Sequence, residues 1–497
     1  MKKASIIRAA AITAAVMLIL TGCRSQKDKA LAVETAGKIV SLSDTVPPYY
    51  DTYFTEESVA TLEKSLAAIP ANAASLTEES DDLPKTAELQ TIYNNLQSAL
   101  DGLEYKHSGC ARFFINTEDG NGNRLKKDDG YVNAEVILVN ANGEILDESG
   151  RIKVRGNSTA KGNKKPFKIK YDSKQNVLEM GTFKNWVLLA NCYDPTMLRN
   201  HIMLDFSRQL GLAYVPQDQF VELWLDGRFK GCYELTEPIE VKKNRLNLDT
   251  ESDGGCKDFL IEVEAEREEE DGQYLLYNDL RFSVKEPEPE TLTEEQLAYI
   301  TPIFEHWIDT VKSRKYEKIA ELIDIESFAK MYIISEYCKN VDTGFSSAFF
   351  YYRADENKFY AGPPWDFDLT LGNLMVTVDA EQYAICYDPE GVYAADVQLY
   401  AYLTKQDWFM DEVKRIYTEN CDYIKNIYTT GGLIDATIAE NEDMITRNRT
   451  EAGWNPGSKQ KGGMRYPDAT YELNVEYLRN WCQKRDAWLR EYWEIEV

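Results

Sequence analysis

Apolar residues recur at helical spacing from Thr55 onward. Leu62, Leu66 and Ile69 follow a Thr55-Glu56-Glu57 start, and Leu89, Ile92, Tyr93, Leu96, Leu100 and Leu103 follow an acid-rich linker. Two helices are therefore expected within 53–105. From about Cys110 the period shortens. Residues 113–116, 131–140, 151–155, 186–190 and 220–225 read as strands between Gly/Asn/Asp turns, and Asp226-Gly227 turns the last into a strand returning through Tyr233. Residues 196–210 form an amphipathic helix closed at Gly211. After residue 290 helices dominate, at 294–312, 325–338, 410–428 and 471–493. A strand-rich front half and a helix-rich back half predict an α+β, two-lobed body with its cleft between the halves.

The first residues follow a different logic. Lys2, Lys3 and Arg8 precede an apolar run, 9–20, that is short for a bilayer span, and Leu20-Thr21-Gly22-Cys23 comes next. This resembles a bacterial lipobox. The resemblance implies a signal peptide over 1–22, a diacylated Cys23, and a body held on the extracellular face of the cell membrane. Residues 23–50, polar and ending in Pro47-Pro48, read as a tether. Residues 51–105 are similar to the small FIVAR-type helical modules of Gram-positive surface proteins, from Phe54-Thr55-x-Glu57-Ser58 to Leu96-x-x-Ala99-Leu100-x-x-Leu103. That likeness implies a spacer with a weak cell-wall glycan contact.

Composition narrows the class. A 43% hydrophobic and 12% aromatic share fits a globular protein, and 497 residues allow two or three domains. A net charge of -27 argues against nucleic acid as a partner. Apart from Cys23, eight cysteines remain, at wide spacings without a CxxC pair, so both disulfides and buried thiols stay open.

Against this acidic background, residues 151–170 carry eight Lys or Arg and no acid. Ile152 and Val154 alternate with Arg151, Lys153 and Arg155, and Phe167, Ile169 and Tyr171 alternate with Lys168 and Lys170. Two half-buried strands thus present cationic faces across a Gly/Asn/Ser/Thr loop, an arrangement suited to an oligophosphate. The same pattern fits a solvated hairpin that offsets acids elsewhere.

A second cluster, Gly362-Pro363-Pro364-Trp365-Asp366-Phe367-Asp368, places two carboxylates at i and i+2 in a rigid setting. Each raises the other's pKa unless a cation intervenes, and Mg²⁺ binds through one or two carboxylates plus phosphate. Asn340-Val341-Asp342 ends the preceding helix; Asp342 reads either as a turn former or as a carboxylate that deprotonates an acceptor hydroxyl. Other chemistries fit poorly. His107, His201 and His306 form no HExxH, no GxSxG elbow occurs, and Gly156 and Gly162 stand one residue too far apart for a Walker A loop.

The ordered blocks VRGNST…KKPFKIK, NWVLLANCYDPTMLRN, GCYELTEPIEV, FLIEVE, NVD and PPWDFDLTLGN resemble the CotH family of spore-coat and surface kinase-like proteins. The resemblance runs from about residue 110 to the C-terminus and assigns 108–497 to one kinase-like domain. It implies an atypical protein serine kinase that uses ATP with Mg²⁺ or Mn²⁺ and modifies a secreted or cell-surface protein. Block by block, Arg155, Lys168 and Lys170 match the basic strands facing phosphate, and Asp366 and Asp368 the metal-binding acids. Asp342 matches the active-site acid. Arg199 and Glu237 lie in recurrent blocks, where phosphate contact or pairing, and nucleotide-side positioning, are the roles to expect. The alternative is a surface binding or scaffold protein that keeps the fold without turnover.

Overall fold

The computed structural model describes residues 25–250, 257–264, 274–277, 280–344, 346–373, 386–397, 399–454 and 470–496. The expected signal peptide, Cys23 and Cys256 lie outside these residues. The described chain forms two compact units. One holds the residues up to Asn123 with Val136–Asp147 and Trp224–Phe229; the other holds Arg124–Glu135, Glu148–Leu223 and the described residues from Lys230 on.

In the first unit, α1 (Gln26–Ser43), α2 (Glu56–Ala67) and α3 (Thr86–Asp101) pack around Ala32, Ala36, Ile39, Leu62, Leu89, Leu96 and Ala99. The tether expected over 23–50 is corrected by α1. Its polar composition conceals Ala32, Ala36 and Ile39 at i, i+4 and i+7, a stripe that gains by burial. Thr55 caps α2 by accepting from the Ser58 N–H, as the sequence suggests. Tyr53 and Phe54 share a core with Phe114, Ile137, Val139 and Trp224, and the Tyr53 hydroxyl donates to Asn116 Oδ1 at 2.6 Å. The helical segment therefore buries rings together with strand residues instead of ending at Tyr105.

Strands β1 (Arg112–Thr117), β2 (Val132–Val139), β3 (Ile145–Val154), β4 (Phe167–Asn176), β5 (Thr182–Leu189), β6 (Asp218–Leu225) and β7 (Arg228–Thr236) close a barrel in the order β1-β2-β3-β4-β5-β7-β6. The alternation read from the sequence is kept in β3 and β4. Ile152, Val154, Phe167 and Ile169 are buried, and the cations between them are half-buried. Helix α4 (Arg199–Gln209) ends before Gly211, whose φ of +71° completes the turn.

The second unit also carries an antiparallel sheet in the order β12-β11-β8-β10-β9, made of β8 (Phe259–Val263), β9 (Tyr274–Tyr277), β10 (Leu280–Glu286), β11 (Ala348–Arg353) and β12 (Lys358–Ala361). The expected back half of helices is thus interrupted by strands. Phe282, Phe304, Trp307, Phe328, Phe350 and Phe359 form its aromatic core, with Trp307 stacked on Phe359 at 4.3 Å. Helices α5 (Glu294–Lys312), α6 (Tyr316–Leu322), α7 (Ile325–Cys338), α8 (Asp407–Glu419), α9 (Cys421–Tyr428), α10 (Leu433–Glu440), α11 (Glu442–Thr450) and α12 (Tyr471–Tyr492) complete the unit. No helix among the described residues is long and apolar enough to cross a membrane. Cys192, Cys338, Cys386, Cys421 and Cys482 are buried free thiols, and Cys110 and Cys232 are buried as well.

Candidate functional site

The β3–β4 register places Arg151 opposite Lys170 and Lys153 opposite Lys168. Like charges directly opposite across strands are destabilising. Tyr131 offers its ring to Lys153 at 4.7 Å and to Arg151 at 5.8 Å, which offsets part of that cost. Arg155 follows at the end of β3, its guanidinium 5.4 Å from the centre of the Trp365 ring. Among the described residues none of these five cations is ion-paired with a carboxylate, and Arg151 Nε is buried without a hydrogen-bond partner. Burial pulls the Lys168 ammonium below its ordinary pKa; Glu240 opposes this, while Lys153, Arg155 and Lys170 reinforce it.

The acids come from two loops. Helix α7 ends at Lys339, which takes a left-handed φ of +47°, and the Asn340 side chain then accepts from the Asp342 N–H at 3.0 Å. The second loop runs from Trp365 to Asn373. Its Leu371 N–H donates to Cys338 O at 2.8 Å, which ties it to the end of α7. Asp366 itself has a φ of +63°, a costly conformation for a residue with a Cβ, of the kind that concentrates at functional sites.

Electrostatics join the loops. Burial, with Asp366 next, raises Asp342 to about 7. Burial raises Asp366 against the pull of Arg155, and Asp368 is raised well above the carboxylate range by burial, then by Asp366, Asp342 and Asp194. Asp366, Asp368 and Glu262 in turn hold the proton on Arg155, whose desolvation works the other way. Arg155, Asp342, Asp366 and Asp368 thus form one interacting group, with Lys168 beside Arg155. No three His, Cys, Asp or Glu side chains among the described residues form a preformed metal shell. Asp366 and Asp368 nevertheless suit Mg²⁺ or Mn²⁺, because their mutual repulsion rewards a cation and such an ion needs only one or two carboxylates when phosphate and water complete it.

Arg199 and Glu237 occupy other places. Of the roles expected for Arg199, the structure selects pairing. Its guanidinium meets Asp194 at 2.5 Å and donates to Thr370 O at 3.0 Å and Leu371 O at 3.4 Å, so it clamps the acid loop from behind. Glu237 is buried against Arg245 at 3.0 Å and accepts from the Gln217 N–H and the Tyr214 hydroxyl. Lys170 lies one cross-strand pair further from Arg155 than Lys168.

Sequence reading gave no role to Asp194, Asn191, Asn200, Glu234 or Glu262. Asp194 receives Arg199 and the Thr196 N–H; Asn200 accepts from the Phe367 N–H at 2.7 Å, between the two acids. The only advance signal was their place inside the recurrent blocks.

These features define an α+β protein in which Arg155, at the end of a basic hairpin, interacts with a cluster of carboxylates. The chain belongs to the CotH kinase protein family, whose model matches residues 152–489. It is also similar to the Inner spore coat protein H of Bacillus subtilis (strain 168), at 27% identity over 195 residues, which cover 37% of this chain and 49% of that protein. The chain thus spans about half the length of that curated relative. The family match contains Arg155, Lys168, Lys170, Asp342, Asp366 and Asp368 and leaves α1–α3 outside.

Proposed function

We propose that this chain is an exported, lipid-anchored protein kinase of CotH type, which moves the terminal phosphate of ATP onto a Ser of a secreted or surface protein. The observation that carries this reading is a strand pair whose five cations have no ion pair and end in Arg155, which interacts with Asp366 and Asp368, while Asp366 raises both Asp342 and Asp368. Each group carries a cost that a phosphate with its counter-cation would relieve.

In this reading β3 and β4 form one wall of a two-lobed, kinase-like site, and the loops at Asp342 and at Asp366–Asp368 form the other. Arg155, Lys168 and Lys170 bind the phosphate oxygens by charge-assisted hydrogen bonds. Asp366 and Asp368 would hold Mg²⁺ or Mn²⁺, which when bound neutralises charge on the transferring group. Asp342 accepts the Ser hydroxyl proton as that oxygen bonds to the terminal phosphorus. The bond from this phosphorus to the bridging oxygen breaks, and ADP leaves with its electron pair. Burial and the Asp366 charge raise Asp342 to about 7, and a cation held by Asp366 would lower it again, leaving the carboxylate form that accepts the proton. Arg199 and Glu237 act by pairing, the first behind the acid loop and the second against Arg245. The signal segment and Cys23 would place the protein on the outer face of the membrane, with the helical segment as spacer and weak glycan contact.

A second reading, a scaffold without turnover on cell-wall or polysaccharide partners, draws on Arg155. Its guanidinium already compensates Asp366 and Asp368, so the fold can keep its charge balance without metal. Thermal stabilisation separates the two. ATP with Mn²⁺ at about 100 times its dissociation constant adds roughly 2.7 kcal/mol of stability. A kinase shows this shift, loses it in Asp366→Ala, and labels casein or co-purified surface proteins with phosphate. Absence of both shift and label selects the scaffold.

A further inference from the structure

Glu234, on β7, is 0% exposed, and its Oε1 is buried without a hydrogen-bond partner. Its Oε2 accepts from Asn191 Nδ2 at 2.7 Å. Asn191 Oδ1 accepts from Asn200 Nδ2 at 2.9 Å, and Asn200 Oδ1 accepts from the Phe367 N–H at 2.7 Å. Three buried side chains thus run in series from a barrel strand to the peptide between Asp366 and Asp368. Asn191 adopts a left-handed φ of +46°, so the link is made at a conformational cost.

A carboxyl in this position is expensive. Burial, reinforced by Asp218 and Asp194, drives Glu234 well above the carboxylate range against the pull of Asn191 and Arg208. An apolar side chain would fill the space without an unsatisfied oxygen, but it would leave Asn191 Nδ2 with only Met197 O, at 3.2 Å, to orient it. The Asn191 amide could then turn, and Asn200 would lose the acceptor that fixes its own orientation. The end of the series is a single N–H, yet that N–H belongs to the residue whose φ and ψ set the separation of the two acids.

We propose that Glu234 is a positioning residue for the acid loop, acting through Asn191 and Asn200 to fix the Phe367 peptide and hence the spacing of Asp366 and Asp368. The inference rests on the kinase reading for its consequence and on the hydrogen-bond series for its existence. Outer hydrogen-bond partners of metal-binding groups typically govern affinity by about 10- to 100-fold.

Amide hydrogen exchange at Phe367 tests the series with no ligand present. Asn200→Ala removes the last acceptor and sets the scale of lost protection. Glu234→Leu should approach that scale, with exchange faster by about tenfold, whereas Glu234→Gln keeps an acceptor oxygen and should stay near wild type. Asn191→Gly tolerates the left-handed backbone, breaks the series in the middle and serves if Glu234→Leu does not fold. The second readout is the Mn²⁺ concentration that half-saturates the ATP thermal shift, expected to rise by about tenfold in Glu234→Leu or Asn191→Gly and to recover in Glu234→Gln. Wild-type protection of Phe367 in Asn191→Gly or Glu234→Leu overturns the proposal. Lost protection in those variants, in a wild-type protein that gives no shift with ATP and Mn²⁺, upholds the positioning series and refutes the kinase reading.

Discussion

Two populations of charge share the larger unit and are treated in opposite ways. Arg199 with Asp194, Arg245 with Glu237 and Arg485 with Glu336 are buried pairs, and half-buried Arg447 meets buried Glu222, all at 2.5–3.0 Å. Arg485 also donates to Pro389 O and Gly391 O, and Glu336 accepts the Tyr393 and Ala394 N–H groups, so that pair organises helix ends and loops around it. The cations of β3 and β4 make no such pairs among the described residues, although the chain carries 83 acids against 56 Lys and Arg. With carboxylates in excess, unpaired cations are a selected state. Pairing marks the scaffold, and its suspension marks the site.

The contrast predicts different responses to mutation. Arg485→Met strands Glu336 and should cost about 3–5 kcal/mol in urea unfolding. Asp366→Ala should cost the unliganded protein much less, since it removes a buried acid together with its support of Arg155, while abolishing the roughly 2.7 kcal/mol that ATP and Mn²⁺ add at 100 times the dissociation constant. Destabilisation by both variants alike would erase the distinction.

Acid–base behaviour sharpens it. Asp342 has its folded pKa raised to about 7, above the unfolded value near 4. The folded state therefore binds this proton more tightly, so the stabilisation is complete below about pH 4 and is lost as pH rises through 7. Glu262, Glu286 and Glu234 are raised by burial and slope the same way, so the informative quantity is wild type minus Asp342→Asn. That difference should fall between pH 4 and 7 without metal and flatten when Mn²⁺ and nucleotide are present. A flat difference without metal would remove Asp342 from the cluster.

The smallest effect is at the far end of the cationic face. Lys170→Ala relieves its opposition to Arg151 and should raise unliganded stability by about 0.2–1 kcal/mol. Its loss of nucleotide affinity should shrink as salt screens the phosphate. Equal weakening at low and high salt would argue that Lys170 does not face an anion.

Much of the framework was readable because period and caps agree. Helices α5 and α7 span the 294–312 and 325–338 read from the sequence, and the structure caps them with Thr293 and Asp324. Ala348–Arg353, AFFYYR, was missed as a strand because four of its residues are buried in succession, leaving no alternation to read. In the site, Arg155, Asp342, Asp366 and Asp368 stood out as charges in apolar or rigid surroundings. Asn191, Asn200 and Glu234 did not, since a lone polar residue in an apolar run acquires meaning only from a partner distant in sequence: Glu234 lies 43 residues from Asn191, and Asn200 lies 167 from Phe367. For Arg199 the sequence left phosphate contact and pairing both open, because its partner, five residues earlier, carried no distinguishing pattern.

The most direct test is a crystal structure of the protein with a non-hydrolysable ATP analogue and Mn²⁺. The account predicts phosphate oxygens at about 2.7–2.9 Å from Arg155 and from Lys168 or Lys170, with anomalous signal from Mn²⁺ against Asp366 and Asp368. A triphosphate bound away from β3 and β4, or manganese ligated by other acids, would contradict it.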